Sequence, residues 1–184
     1  MATANRATQG YIGAPIKRRE DFRFITGRAT FVDDIKLPAM LHAAVLRSPR
    51  AHARIHSIDT SKALRLPGVV KIFTFDDLGE LAVPVPIRMY QLPGLERYLQ
   101  PLLAHGKVRY VGEPVALAVA ESRYLAEDAI DAIEVEYEDL PAVVDIYEAM
   151  KNEILVDEAA GTNIAAVHEF SIGDVERAFR EAEY

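Results

Sequence analysis

The sequence predicts an α+β domain, and three observations carry that expectation. Half of the 184 residues are apolar and 27% are charged, which is enough material for one sizeable core. Short β-branched and apolar runs recur between turn residues, as in Met40–Leu46, Val69–Phe75 and Val115–Ala120. Only one interior stretch, 123–132, carries helical periodicity of useful length, with Leu125, Ala129 and Ala132 on one face and Ala126 and Ile130 beside it. Strands with interspersed short helices give a mixed, partly antiparallel sheet with short packed helices.

The elements follow in order. Residues 1–30 lack a sustained period and are punctuated by Gly10, Gly13, Pro15 and Gly27. They read as an extended arm that packs against the domain or a neighbour through Tyr11, Phe22 and Phe24, because a free arm seldom carries so many large apolar groups. Ala29–Ile35 is expected to be a short strand, and Met40–Leu46 a second one closed by Ser48-Pro49. In Ala53–Ile58, Ile55 and Ile58 are out of strict alternation, which predicts a twist or a bulge. Asp59 or Thr60 is placed to cap a short helix through Leu66, stopped by Pro67-Gly68. A strand at Val69–Phe75 and a brief helical piece ending near Gly79 come next.

Residues 80–105 differ. Pro84, Pro86, Pro93 and Pro101 forbid a long helix or a central strand, yet large apolar groups abound. Such a loop either covers a core or meets a partner. Order returns with strands at Val108–Tyr110 and Val115–Ala120, the turn Gly112-Glu113-Pro114 and the helix 123–132. The strand Ile133–Tyr137 directs Ile133, Val135 and Tyr137 one way and its glutamates the other. Ala142–Val144 is extended and Ile146–Met150 is a helical turn. Residues 151–163 have the composition of a linker. Ala165–Phe170 is expected to be a strand, and after Gly173 an amphipathic helix should turn Val175, Ala178 and Phe179 inward.

Composition excludes several chemistries. Cysteine is absent, so thiolate catalysis, disulfides and cysteine-ligated zinc or iron–sulfur clusters have no donors in this sequence. No apolar run is long enough to span a membrane and the first residues lack a signal-peptide core, so a soluble cytoplasmic domain is expected. Net charge is −7. Residues 121–184 hold four basic against eighteen acidic side chains, whereas residues 1–60 hold ten against five. The basic part lacks the broad field and stacking aromatics of a nucleic-acid surface. His52 and His56, four apart on an extended segment, would lie about 13 Å from each other, too far to share a metal. The acidic pairs Asp33-Asp34 and Asp76-Asp77 suit turns and caps. No nucleophile elbow, phosphate loop or dinucleotide fingerprint occurs. From the residues alone, none is catalytic, cofactor-binding or metal-ligating.

Several stretches in order resemble the molybdopterin-binding large subunit of the xanthine dehydrogenase, aldehyde oxidase and carbon monoxide dehydrogenase family. They are YIGAPIKRREDFRFITGRATFVDDIKLPAMLHAAVLRSPRAHARI at Tyr11–Ile55, LPGVVKIFTFDDL at Leu66–Leu78, KVRYVGEPVALAVAESRYLAEDAIDAIEVEYEDLPAVVDIYEAM at Lys107–Met150 and HEFSIGDVERAFREAEY at His168–Tyr184. The resemblance implies an arm at 1–29, an α/β hammerhead domain at 30–150, and at 151–184 a linker and the beginning of the first molybdopterin-binding domain. The complete enzymes oxidise aldehydes, N-heterocycles or carbon monoxide with oxygen from water. They use a molybdenum–pterin cofactor, iron–sulfur clusters and FAD, some of them on separate subunits. The family's catalytic glutamate and cofactor loops lie beyond the equivalent of Tyr184, so none is carried over and this chain alone is expected to be inactive. It is expected to serve as a scaffold that meets the remaining molybdopterin-binding domains, an iron–sulfur subunit and a flavin subunit. A standalone binding or regulatory domain that uses loop 80–105 is the alternative. By position that loop gives Met89, Tyr90, Leu92 and Tyr98 candidate roles at an interface or on the outer substrate funnel, with packing inside the domain as the competing role. Apolar surface left open in the isolated domain would favour a homodimer.

Overall fold

The computed structural model describes residues 15–86, 94–169 and 172–183. The chain divides into two compact units, Met1–Met40 and Leu41–Tyr184. In the first, helix α1 covers Asp21–Ile25 and a 3₁₀ turn covers Val32–Asp34. Both correct the sequence expectation of an extended arm followed by a strand at Ala29–Ile35. Local side-chain bonds explain the difference. The Arg18 amide and guanidinium both donate to the Asp21 carboxylate, at 3.1 and 2.9 Å, and the Phe31 amide donates to Asp34 at 2.9 Å. Acidic side chains that capture a nearby N–H turn the backbone out of an extended path. The rings of Phe24 and Phe31 approach to 5.5 Å, while Phe22 is 66% exposed. Tyr11 lies outside the described residues.

The second unit is built on two three-stranded antiparallel sheets. With β1 at His42–Arg47, β2 at Ala53–Asp59, β3 at Val69–Phe73, β4 at Lys107–Val108, β5 at Pro114–Ala120 and β6 at Glu134–Asp139, the orders are β1-β5-β3 and β4-β2-β6. This is the expected α+β class, and each pairing described is antiparallel. Helix α2, Arg123–Asp131, packs on β1 and β5 and begins at Ser122, whose hydroxyl accepts the Leu125 amide.

β5 lies at the centre because its two faces serve two cores. Ala116 and Ala118 join Ala63, Ile72, Ala129 and Ile133 beneath α2, while Val115 points into a second cluster with Ala53, Ala104 and Val108. Alanine on both the strand and the helix lets them approach closely at interior packing density. The irregularity expected in β2 falls between Ile55 and Ser57, where pairing with β6 shifts by one residue. That bulge makes His56 the extra residue and lets Ile55 and Ile58 pack on the same cluster. Ile133, just before β6, and Val135 within it pack inward and the strand's glutamates are exposed, as alternation requires.

Several expected elements are shorter. The helix through Leu66 is only a 3₁₀ turn at Ala63–Arg65. The strand at Val108–Tyr110 ends at Val108, because the Arg109 amide turns to the Glu113 carboxylate. No strand forms over 165–169. Helix α3 covers Ile146–Met150, and helix α4, Val175–Glu181, is capped by Asp174, but Val175 and Phe179 are 60% and 78% exposed rather than inward. Loop 80–105, where described, forms only 3₁₀ turns at Gly79–Leu81 and Leu95–Tyr98 and contributes Leu103 and Ala104 to the interior.

Gly68, at φ +80°, closes the turn into β3, and a Cβ there would stand 2.6 Å from Leu125 Cδ1 of α2. Gly106 also has positive φ, but open space surrounds it. Gly68→Ala should lower unfolding free energy by about 2 kcal/mol and Gly106→Ala by about 1 kcal/mol. Urea titration of the two variants checks the difference, and equal losses would deny the helix contact its role.

Candidate functional site

The polar features of the second unit converge beside a cleft of 610 Å³. Its position follows from two interlocked turns. The Ser48 amide donates to Glu113 O at 2.9 Å and the Gly112 amide donates to Ser48 O at 2.8 Å. These bonds tie the segment entering β2 to the segment entering β5. Glu113 is thereby drawn inside, 3% exposed.

Arg109 organises this interior. Its amide donates to Glu113 Oε2, and its Nη1 lies 4.0 Å from Glu113 Oε1. On its other side, Nη2 and Nε donate to Asp157 Oδ2 at 2.9 and 3.2 Å. Burial alone would push the Asp157 carboxyl up. The Arg109 bond and charge, the Ala159 amide and the Lys107 charge outweigh that and hold it below the usual range. Beside it Lys107 pairs with Glu158, and that hydrogen bond leads the causes that lower Glu158 from 4.5 to about 2.

Asp157 and Glu158 belong to residues 151–163, a stretch with the composition of a linker. In the structure this stretch is a compact loop of the Ω type, closed by its own side chains. Asn152, at φ +60°, accepts from the Thr162 hydroxyl at 3.1 Å and the Asn163 amide at 2.7 Å. The Asn163 side chain accepts from Val156 N–H at 2.9 Å and donates to the carbonyls of Ala149 and Ile154. Its composition reflects the need for turn residues, and its hydrogen-bond pairing is invisible to periodicity.

Of the four residues singled out from the sequence, Met89, Tyr90 and Leu92 lie outside the described residues. Tyr98 lines the cleft, half-buried, and its hydroxyl donates to Thr162 O at 3.1 Å and Ile164 O at 3.3 Å. It therefore packs within the unit. The Phe75 and His105 rings stack at 4.3 Å on another part of the wall. His52 and His56 have separate tasks. His52, buried, sets Nδ1 2.6 Å from Pro141 O, and exposed His56 pairs with Glu138 at 3.1 Å. Sequence reasoning missed Arg109, Glu113 and Asp157. The first two were available as a basic–acidic pair four residues apart around a glycine turn, but Asp157 comes from far along the chain.

Two small antiparallel sheets around two apolar clusters that meet at Leu46, Ile58 and Val135, one of them covered by a short helix, define the α/β hammerhead class. Residues 26–141 match the family described as "Aldehyde oxidase and xanthine dehydrogenase, a/b hammerhead domain", and the chain belongs to that family. It is 41% identical over 177 residues to the nicotine 6-hydroxylase large subunit of Paenarthrobacter nicotinovorans, covering 96% of this chain and 22% of that protein. It is 42% identical over 176 residues to the carbon monoxide dehydrogenase large chain of Afipia carboxidovorans, covering 90% and 21%. The crystal structure of quinoline 2-oxidoreductase from Pseudomonas putida 86 superposes with a TM-score of 0.68 at 45% identity, over 78% of this chain and 18% of that one. The chain thus spans about a fifth of the length of the curated relatives it matches.

The residues around the cleft do not fit the molybdenum–pterin group that the family implies. The Arg109 guanidinium is spent on two carboxylates, and an incoming phosphate would meet the buried Glu113. Among the described residues, no three His, Asp or Glu side chains are grouped to hold a metal. The polar groups here hold structure together.

Two outcomes follow from the ion pairs. Arg109→Met strands two carboxylates and should cost about 3 kcal/mol by urea titration; a loss below 1 kcal/mol would deny it that role. Glu158 binds its proton less readily when folded than when unfolded. Its contribution is complete above about pH 4.5 and falls away as pH drops toward 2. Lys107→Met should return the Glu158 carboxyl toward 4.5 in an NMR titration and flatten the acid limb of stability. An unmoved titration would remove Lys107 as the cause.

Proposed function

We infer that this chain is the non-catalytic scaffold and assembly portion of a molybdenum hydroxylase large subunit. The observation that carries the reading is the pair of coverages. Similarity above 40% runs through at least 90% of this chain yet occupies about a fifth of each relative. Arg109 at the centre of the cleft is engaged by Asp157 and Glu113, which supports a structural role over a catalytic one.

In this reading residues 1–29 form the arm, 30–150 the hammerhead domain, and 151–184 the passage toward the first molybdopterin-binding domain. The rest of the large subunit supplies the molybdenum–pterin cofactor, and companion subunits supply iron–sulfur clusters and FAD. The complete enzyme oxidises an aldehyde, an N-heterocycle or carbon monoxide, with oxygen drawn from water, in the cytoplasm. No helix among the described residues is long and apolar enough to cross a membrane, which accords with that setting. The exposed apolar groups Val144, Val175 and Phe179 are then positions that neighbouring domains cover.

Co-expression with the remaining large-subunit polypeptide and an iron–sulfur subunit tests the proposal. A stable complex should form whose oxidase activity is lost when residues 1–184 are omitted. Failure to co-purify, with full activity from an intact large subunit alone, would overturn it.

A further inference from the structure

The cleft beside Arg109 has features that its structural duties leave unused. Glu113 lines it with a side chain only 4% exposed. One carboxylate oxygen accepts the Arg109 amide. The other has no hydrogen bond among the described residues, and its nearest cation, Arg109 Nη1, stands at 4.0 Å, beyond hydrogen-bond reach. That oxygen opens on the cleft rather than being sealed in the core, so a ligand's donor can reach it.

Charge points the same way. Arg109 is shared between Glu113 and Asp157, so these three side chains carry one net negative charge, and Asp157 is held ionised by its own partners. Lys107 and Glu158 cancel each other. Arg97, the remaining guanidinium of the lining, is exposed, where solvent and salt screen it. The walls are aromatic: Phe75 stacked on His105, Tyr98 with its hydroxyl turned to the Ω loop, and Tyr110. Aromatic faces around a buried carboxylate recognise cations through the ring quadrupole, and 610 Å³ is within the range of small-molecule sites.

We propose that this cleft binds a small organic cation, a primary ammonium or amidinium on an aromatic or short apolar stem, with its N–H groups donating to the free oxygen of Glu113. The assignment is independent of the scaffold role, since it concerns a cleft within one unit and needs no partner domain.

The test uses the full 184-residue chain, amide NMR spectra and three probes of similar shape: benzylammonium, benzyl alcohol and benzoate. Benzylammonium should give saturable shifts at the amides of His105, Arg109 and Glu113. Benzyl alcohol should bind about ten- to hundredfold more weakly, as expected for loss of a charge-assisted bond. Glu113→Gln, which keeps the acceptor for the Arg109 amide, should reduce benzylammonium affinity by a similar factor. Tyr110→Leu, at a part-exposed wall position, should weaken it several-fold. If Glu113→Gln does not fold, the probe series and Tyr110→Leu decide. No saturable shift with benzylammonium, equal binding of benzyl alcohol, preferential binding of benzoate, or a folded Glu113→Gln chain of unchanged affinity would each overturn the proposal.

Discussion

Arg109 is held between Glu113, four residues ahead, and Asp157, forty-eight residues ahead, and the arrangement of the second unit depends on that bridge. The guanidinium bonds Asp157 and lends charge to Glu113, whose carboxylate takes its hydrogen bond from the Arg109 amide. That amide ends β4 after two residues by turning to Glu113. The same carboxylate sits where the turn into β5 is fastened to Ser48, so the bridge stands at the entrance of the central strand. On the far side it anchors the Ω loop and sets one wall of the cleft. Sheet geometry, loop placement and cavity shape therefore share one ionic contact. This explains a cost the domain tolerates, since a carboxylate almost wholly withdrawn from water stabilises little by itself.

The sheets illustrate how small side chains set architecture. β5 carries alanine toward α2 and valine toward the opposite core, so one strand supports two apolar clusters. Neither cluster is large, and Val108 and Val115 are its largest fully buried side chains. The bulge at His56 completes the plan by bringing Ile55 and Ile58 to the same interior. A strictly regular β2 would have sent one of the two isoleucines to solvent.

What was legible in the sequence were features with a short period. The alternation of Glu134–Asp139, the broken alternation around Ile55 and the helical face of 123–132 all correspond to observed elements. The family resemblance correctly named the hammerhead fold. Illegible features depended on side-chain bonds between neighbours or across long separations. Asp21 and Asp34 each recruit local amides, so the arm coils where apolar content suggested extension. Asn152 and Asn163 close a loop whose composition is that of a connector. For α4 the periodicity correctly located a helix but not a partner for its apolar face, because amphipathicity states that a surface seeks cover without saying what provides it.

The Ω loop is attached by amide–carbonyl, hydroxyl and ionic contacts, and its side chains are at most half-buried. Attachments of that kind stabilise weakly in water compared with the apolar clusters under α2. The loop is therefore expected to open at a lower free energy than the sheets. Its amides should exchange with solvent deuterium through local detachment while those of β5 await global unfolding. The domain is thus a sheet frame with one wall of the Arg109 cleft on a softer mounting.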